Sequence, residues 1–153
     1  MEATDYINKI RKENGRSEIS FDERVYKLAV ARAKDMSDNN YLDHTNPTTG
    51  ACPDNMKIAY GLSSYEYVAE NAYGSPDASY YHASPMEAVD SWITSRGHRF
   101  NLLYENHIAG VVGCYQNMCS FLGLNHDRFG EGCYTGEEGT AFWASTGEQP
   151  GEI

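Results

Sequence analysis

The sequence lacks any apolar run that approaches the length of a membrane span, which needs about 20 predominantly apolar residues in succession. Charged residues, among them Glu2, Asp5 and Lys9, interrupt the N-terminal stretch. A secretory signal needs an apolar segment there, so none is visible in this stretch. We therefore expect no transmembrane segment.

Basic residues are scarce: 12 Lys and Arg stand against 22 Asp and Glu, which gives a formal net charge of −10. This charge repels phosphate backbones and anionic headgroups, which argues against nucleic-acid binding and polybasic membrane attachment. The length of 153 residues, of which 41% are hydrophobic, suits one domain over residues 1–153 with an ordinary core. We expect this domain to be a monomer.

Three common signatures of enzyme sites are also missing. The sequence contains no His-Glu-x-x-His, no Gly-x-Ser-x-Gly and no glycine-rich phosphate-binding loop. These motifs therefore give no support to the interpretation that the protein is a hydrolase.

The four cysteines include no Cys-x-x-Cys pair, which argues against a zinc site built from closely spaced thiolates. An even number of cysteines in a modest acidic domain favours two disulfides and an oxidising compartment. Three pairings are possible. We favour Cys114–Cys119, which closes a short hairpin, and hence Cys52–Cys133 by elimination.

Two helices are predicted in the first forty residues. One spans residues 4–14, with Thr4 as its N-cap. The second runs from Ser20 to about Asp38 and starts with a capping box of Ser20 and Glu23. Its buried face is predicted to consist of Val25, Leu28, Ala29, Ala33 and Met36. Its solvated face is predicted to consist of Asp22, Glu23, Lys27, Arg32 and Lys34.

A further helix is predicted after a capping box of Ser84 and Glu87. Its apolar stripe consists of Ala88, Val89, Trp92 and Ile93. This stripe indicates that the helix packs on a core. Gly97 is predicted to end the helix in a left-handed conformation and so to present His98 just beyond it.

The period of the apolar pattern changes after residue 106. Residues 108–115 and 119–124 are predicted to form two antiparallel strands around a turn at 116–118, and residues 140–146 a third strand. Residues 67–73 are predicted to form a short helix or an irregular turn. Because most helices are predicted in the first part of the chain and the strands in the last part, the predicted class is α+β, with helices around a small antiparallel sheet.

Five sequence blocks occur in a recognisable order. They are Tyr6–Arg11 with Asn14-Gly15, Ala29–Met36, Asp43–Pro47 with Gly50, Ala69–Ala72, and Trp92–Leu103. Together they resemble the CAP superfamily of cysteine-rich secretory proteins, antigen 5 and pathogenesis-related proteins, and the bacterial branch of SCP-like extracellular domains in particular. The resemblance implies an α-β-α sandwich and a location outside the cell or on its surface; it fades after Gly113.

The resemblance also implies an open cleft that contains two histidines and acidic side chains. Carried over residue by residue, it assigns His44, Glu70 and His98 to this cleft. The second acid of many family members has no counterpart, because position 94 is Thr. Asp90, one helical turn before Thr94, is a substitute on the same face.

Two imidazoles and a carboxylate suit a divalent transition metal, Zn²⁺ first, with open positions for water. The alternative is a metal-free cluster in which His44, Glu70 and His98 hydrogen-bond one another. We expect a secreted or cell-surface binding module whose cleft, which includes Asn71, takes a small-molecule, lipid or protein ligand. The alternative function is a metal-dependent peptidase or esterase, with Glu70 beside a metal-bound water.

The other histidines, His82, His107 and His126, are expected at the surface or at strand ends. Six tyrosines fall near the predicted cleft, where packing beneath loops is the favoured interpretation and a ligand groove is the alternative. They are Tyr60, Tyr65, Tyr67, Tyr73, Tyr80 and Tyr81.

Overall fold

The computed structural model describes residues 2–78 and 80–135. Along the chain it contains α1 (Glu2–Glu13), α2 (Glu23–Asp38), α3 (Pro53–Met56), a 3₁₀ helix (Lys57–Tyr60), β1 (Tyr67–Gly74), α4 (Pro85–Ile93), α5 (Arg96–Leu102), β2 (Ala109–Tyr115) and β3 (Met118–Asn125). The three strands form an antiparallel sheet in the order β1-β3-β2. The central strand, β3, is buried along its whole length.

Helices cover both faces of this sheet, which confirms the α+β class and the α-β-α arrangement. On one face, Leu28 of α2 packs with Val111 and Leu122. On the other face, Trp92 of α4 packs with Phe121. Within the described ranges, no helix is long and apolar enough to cross a membrane.

The strand β1 corrects the prediction of a helix or turn at residues 67–73, whereas β2 and β3 confirm the two predicted strands. The stretch contains Glu70 and Asn71, so its sequence shows no apolar alternation. It is a strand because it pairs with β3 over its full length, with Glu70 opposite Leu122. The strand predicted at residues 140–146 lies outside the described residues.

The starts of α1 and α2 also differ from the prediction. Thr4 lies inside α1, where its buried hydroxyl donates a hydrogen bond of 2.8 Å to a backbone carbonyl of β2. Asp22 caps α2, because its carboxylate accepts hydrogen bonds from two amides of the first turn. Ser20 instead pairs with Ala109 in an isolated bridge.

The capping box of Ser84 and Glu87 is confirmed at the start of α4. Gly97, however, does not end that helix. The chain breaks at Ser95, which is extended (φ −109°, ψ 127°), and helical structure resumes directly afterwards. Gly97 and His98 therefore both lie within α5, and His98 is presented by this second helix.

Both predicted disulfides are confirmed, and no cysteine is free. Cys114–Cys119 joins β2 to β3 across their hairpin. Cys52–Cys133 joins the start of α3 to the segment after β3 and spans 81 residues of sequence. The long-range disulfide therefore fixes that segment against the loop region before β1.

His107 is buried and so does not lie at the surface, which was one of its two predicted locations; it does lie close to a strand end, just before β2 begins at Ala109. It is 2% exposed, and its Nε2 lies 2.9 Å from Oδ1 of Asn101. The imidazole fills the space above Gly123, where a Cβ atom would lie 2.2 Å from that nitrogen. Burial, together with the nearby charge of Arg11, lowers the pKa of His107 to about 3.

We expect His107 to make the free energy of unfolding fall as the pH drops below about 6.5. In the unfolded chain histidine binds a proton near pH 6.5, whereas the folded group stays neutral down to about pH 3, so the unfolded state binds more protons within this window. Within this window, His107 should lower the free energy of unfolding by about 1.4 kcal/mol for each unit by which the pH falls. Urea unfolding between about pH 4.5 and 6.5 measures it.

In His107→Gln this dependence should become flatter, because glutamine does not titrate. The matched control is His126→Gln, since His126 is exposed and its replacement should leave the slope unchanged. An unaltered slope in His107→Gln would contradict the assignment.

Candidate functional site

A buried ion pair between α2 and β1 forms the centre of the candidate site. Nε of Arg32 lies 2.9 Å from one carboxylate oxygen of Glu70, and Nη2 lies 3.0 Å from the other. The exposed fractions of the two side chains are 0% and 2%. Arg32 also donates to the Tyr41 hydroxyl and to the Asp43 carbonyl, each at 2.7 Å. The planar guanidinium thus matches the carboxylate in a two-point contact that lysine does not reproduce.

The assignment of Arg32 to the solvated face of α2 is wrong. Buried positions 25, 28, 29, 32, 33 and 36 have the spacing of a single helical face, and Arg32 lies among them. An arginine inside an apolar stripe needs a buried partner, because an unpaired charge there is strongly destabilising. The spacing of the apolar positions therefore indicated that Arg32 is buried. The charge of its side chain had favoured the solvated face instead.

Glu70 uses its two carboxylate oxygens fully. Besides the contacts with Arg32, Oε2 accepts a hydrogen bond of 2.7 Å from the Ser120 hydroxyl, and Oε1 lies 2.9 Å from Nδ1 of His44. Burial by itself would raise the pKa of Glu70, but the charge of Arg32 and the contact with His44 outweigh burial and lower the pKa to about 2. Glu70 is therefore a carboxylate at every pH of biological interest.

His44 connects this ion pair to the protein surface. It lies in the loop after α2, and its side chain is 8% exposed. Because a carboxylate only accepts hydrogen bonds, the network assigns a proton to Nδ1; in the neutral imidazole the lone pair is then on Nε2. Within residues 2–78 and 80–135, Nε2 has no hydrogen-bond partner.

Asn71 points to the opposite face of the sheet from Glu70, because successive side chains of a strand alternate. Its Nδ2 donates to the backbone carbonyl of His98 at 2.9 Å, and its Oδ1 accepts from Asn101 at 3.1 Å. Asn71 and His98 are thus joined through the backbone of α5. The hydrogen bonds to Glu70 come from other residues, so the five predicted residues are distributed over both faces of the sheet.

Asp90 lies on the exposed side of α4 and accepts a hydrogen bond of 2.5 Å from the Tyr6 hydroxyl. This contact joins α4 to α1. Thr94 follows α4, and its hydroxyl donates to the Ser91 carbonyl at 2.7 Å. The structure therefore gives Asp90 and Thr94 local roles, and neither of them supplies an acid beside Glu70.

Of the two alternatives that the sequence left open, a divalent cation and a metal-free polar cluster, the contacts of Glu70 favour the second. Both oxygens of Glu70 already accept hydrogen bonds, and the guanidinium of Arg32 beside them would repel a cation. In the part of the chain that the structure describes, no three His, Cys, Asp or Glu side chains are grouped to hold a metal ion. The contact between His44 and Glu70 corresponds instead to the metal-free polar cluster.

The predicted tyrosines serve both as packing and as surface. Tyr73, Tyr80 and Tyr81 line an open pocket of about 290 Å³ after β1. Tyr73 packs edge-on against Trp92, with ring centroids 6.3 Å apart. Tyr80, by contrast, is 85% exposed.

We expect Arg32→Met to reduce the free energy of unfolding by about 3–5 kcal/mol, because it leaves the charge of Glu70 buried without a partner. Adding Glu70→Gln should recover part of this loss, since a neutral amide needs no cation. Urea unfolding of the wild type, both single variants and the double variant measures this coupling. Arg24→Met breaks a partly exposed pairing with Asp22 and Glu66 and should cost about 1 kcal/mol. Strict additivity of the effects of Arg32→Met and Glu70→Gln would contradict the pairing of Arg32 with Glu70.

Similar proteins come from bacteria. The uncharacterized protein YkwD of Bacillus subtilis (strain 168) is 38% identical over 107 residues, which cover 69% of this chain and 38% of YkwD. The crystal structure of an extracellular protein containing a SCP domain from Bacillus anthracis str. Ames has a TM-score of 0.70 and 26% identity, over 81% of this chain and 39% of that one. This chain thus spans less than half the length of these two relatives.

The fold is also found at lower identity. An outer surface protein from Borrelia burgdorferi has a TM-score of 0.63 and 16% identity, over 81% of this chain and 90% of that one. The model of the cysteine-rich secretory protein family, CAP, matches residues 4–122. This match covers more than half of the chain, from α1 into β3, and includes the whole Arg32–Glu70–His44 network. The chain therefore belongs to the cysteine-rich secretory protein (CAP) family, as a member of the bacterial type.

Proposed function

We propose that this chain is a ligand-binding domain and that the surface around Nε2 of His44 is its binding site. One observation carries the proposal: the buried Arg32–Glu70 pair holds the imidazole of His44 through Nδ1, so that Nε2 of the neutral ring offers an acceptor near the surface. A hydroxyl or amide group of a small-molecule, lipid or protein ligand supplies the matching donor.

In this proposal Glu70 is a positioning residue. Its carboxylate orients the ring through Nδ1, which fixes the tautomer of His44. Arg32 and Ser120 in turn keep the carboxylate from rotating. An acceptor that is ordered before binding loses little conformational entropy when a ligand arrives.

We propose further that the domain acts outside the cell or on its surface. The two disulfides persist in oxidising compartments, where protein thiols are not kept reduced. Two proteins of similar fold are described as an extracellular protein and an outer surface protein. Both observations support this location.

The geometry gives little support to the alternative of a metal-dependent hydrolase. A general base needs a free lone pair and a pKa near the working pH. The pKa of Glu70 is held at about 2, and its oxygens accept hydrogen bonds from Arg32 and Ser120. A cation at Glu70 would also have to displace Arg32, which is buried and whose other ion pair among the described residues, with Asp35, is longer at 3.9 Å.

Metal content and turnover test the choice between these two functions. We expect the purified protein, equilibrated with Zn²⁺ at neutral pH, to bind no stoichiometric zinc through Glu70, because Arg32 already neutralises the carboxylate. A broad screen of peptides and esters should show no turnover that a chelator abolishes. Stoichiometric zinc that is lost in both His44→Ala and Glu70→Gln, or chelator-sensitive turnover lost in both, would reverse the choice.

Nitrogen NMR of the imidazoles tests the positioning of His44. We expect the tautomer with the proton on Nδ1, and we expect a ligand that binds here to shift the Nε2 resonance. A panel of hydroxyl-bearing amphiphiles and short peptides provides the probes. A panel member that shifts Nε2 should bind more weakly to His44→Ala, whereas His126→Ala removes an exposed imidazole elsewhere and serves as the control. Equal binding by the wild type and His44→Ala would place the site elsewhere.

A further inference from the structure

A second pocket lies between the end of α1 and the outer side of α5. Its volume is about 380 Å³, which is within the range of sites for small molecules. The residues that line it include Arg16, Arg96, Arg99, Phe100, Tyr104 and Glu105. None of the residues assigned to the His44 site is among them.

The geometry of α5 separates this pocket from the predicted cleft. Each residue of an α-helix is rotated by about 100° from the one before it, so Arg96, Arg99 and Phe100 share a face. His98 lies about 100° or more from each of them. The exposure pattern agrees, since Arg96 and Arg99 are exposed whereas Asn101 is buried against the sheet.

Three guanidinium groups therefore meet in a chain whose formal net charge is −10. Nε of Arg16 donates to the carbonyl of Leu103 at 2.8 Å, which fixes this side chain against the end of α5. Within residues 2–78 and 80–135, the guanidinium of Arg99 forms no hydrogen bond or ion pair. By contrast, five cations outside the pocket are paired with acids: Arg24, Arg32, Lys34, Lys57 and Arg128. Glu105 is the single acid among the described lining residues, so these residues keep a positive balance.

A fourth guanidinium lies beneath this region. Arg11 is buried, and its Nη1 donates to the carbonyls of Leu102 and Tyr104 at 2.8 and 3.0 Å. Its Nη2 is buried and has no hydrogen-bond partner in the described ranges. Burial, and then the charge of Arg16, lowers the pKa of Arg11. The positive charges are thus close enough to repel one another, and a bound anion would relieve this repulsion.

Aromatic rings supply the rest of the pocket wall. The rings of Phe100 and Tyr104 lie 6.0 Å apart between centroids. The hydroxyl of Tyr104 already donates to Asp127, so Tyr104 offers the pocket its ring. Cationic and apolar groups therefore line one cavity, which suits a ligand that is anionic at one end and apolar at the other.

We propose that this pocket binds a small organic phosphate, with the phosphate held by the arginines and a planar or apolar body packed on Phe100 and Tyr104. The guanidinium fork matches phosphate oxygens in pairs, and a doubly charged phosphate gains more from the guanidinium groups of Arg16 and Arg99 than a carboxylate does. The net charge of −10 disfavours an extended polyanion, which would also contact the acidic surface, whereas a small ligand contacts only the basic lining. This site is independent of the function proposed at His44.

Titration calorimetry with phenyl phosphate tests the proposal, at low salt and at a pH where the phosphate is doubly charged. We expect saturable binding to the wild type, weaker binding of inorganic phosphate, which lacks the ring, and no binding of phenol, which lacks the charge. Arg99→Gln should weaken the binding of phenyl phosphate by about tenfold or more, since it removes a charge-assisted contact. Glu105→Gln should strengthen this binding, because it removes a negative charge that repels the phosphate.

Arg128→Gln is the matched control. It removes the same charge from an exposed arginine that does not line the pocket and should leave the affinity unchanged. Absence of saturable binding, or equal losses in Arg99→Gln and Arg128→Gln, would overturn the proposal. Cosedimentation with phosphatidylglycerol vesicles that depends on Arg99 would show that the pocket binds a lipid headgroup and not a soluble phosphate. We expect no cosedimentation, because the net charge of the chain is negative. Thermal unfolding of each variant verifies that it is folded.

Discussion

The buried pair of Arg32 and Glu70 is the constraint on which the candidate site depends. Removing two charges from water is costly, and their attraction compensates only when the remaining donors and acceptors are also satisfied. Tyr41, the Asp43 carbonyl and Ser120 satisfy them here. The pair therefore fixes the loop after α2 as well as the two elements that it joins, and His44 lies in that loop.

The same pair specifies the register of β1. Side chains alternate along a strand, so a shift by one residue would turn Glu70 to the other face of the sheet and leave Arg32 unpaired in the core. The apolar neighbours of Glu70 on this face, Val68 and Ala72, are small enough to let α2 approach. A buried charge thus gives β1 the positional specificity that its weak apolar pattern does not provide.

The alternation also divides the domain into two chemically separate surfaces. Glu70 faces α2 and supports His44, whereas Asn71 faces α5 and, through Asn101, is linked to the buried His107. This second chain of polar contacts holds α5, whose outer side carries the arginines of the phosphate pocket. The strand β1 is common to both arrangements, but among the described residues the two surfaces share no side chain, so each can be tested without disturbing the other.

Comparison with known proteins supports the fold more strongly than any activity. A protein with only 16% identity retains a TM-score of 0.63, so the sandwich tolerates wide changes of sequence. A fold that is so tolerant can carry many sites. The functional argument for this chain therefore depends on the contacts of His44 and on the position of Arg99 in the lining of its pocket.

Several features of this protein could be predicted from the sequence because they depend on neighbouring residues. The capping box of Ser84 and Glu87 spans three residues, the Cys114–Cys119 hairpin spans five, and one face of α2 follows a single period. The family resemblance added the fold and named His44 and Glu70 as candidate site residues.

Only the tertiary structure decided the positions of the charges and of β1. Arg32 and Glu70 are 38 residues apart, and nothing local to either residue indicates the other. The pairing of β1 with β3 joins residues about 50 positions apart, and the burial of His107 depends on the missing side chain of Gly123. Helix caps and helical faces form from contacts within a few residues, whereas ion pairs and strand register form only when distant segments pack together. For this reason the sequence indicated candidate residues for the site, and packing determined that the carboxylate of Glu70 is held by Arg32.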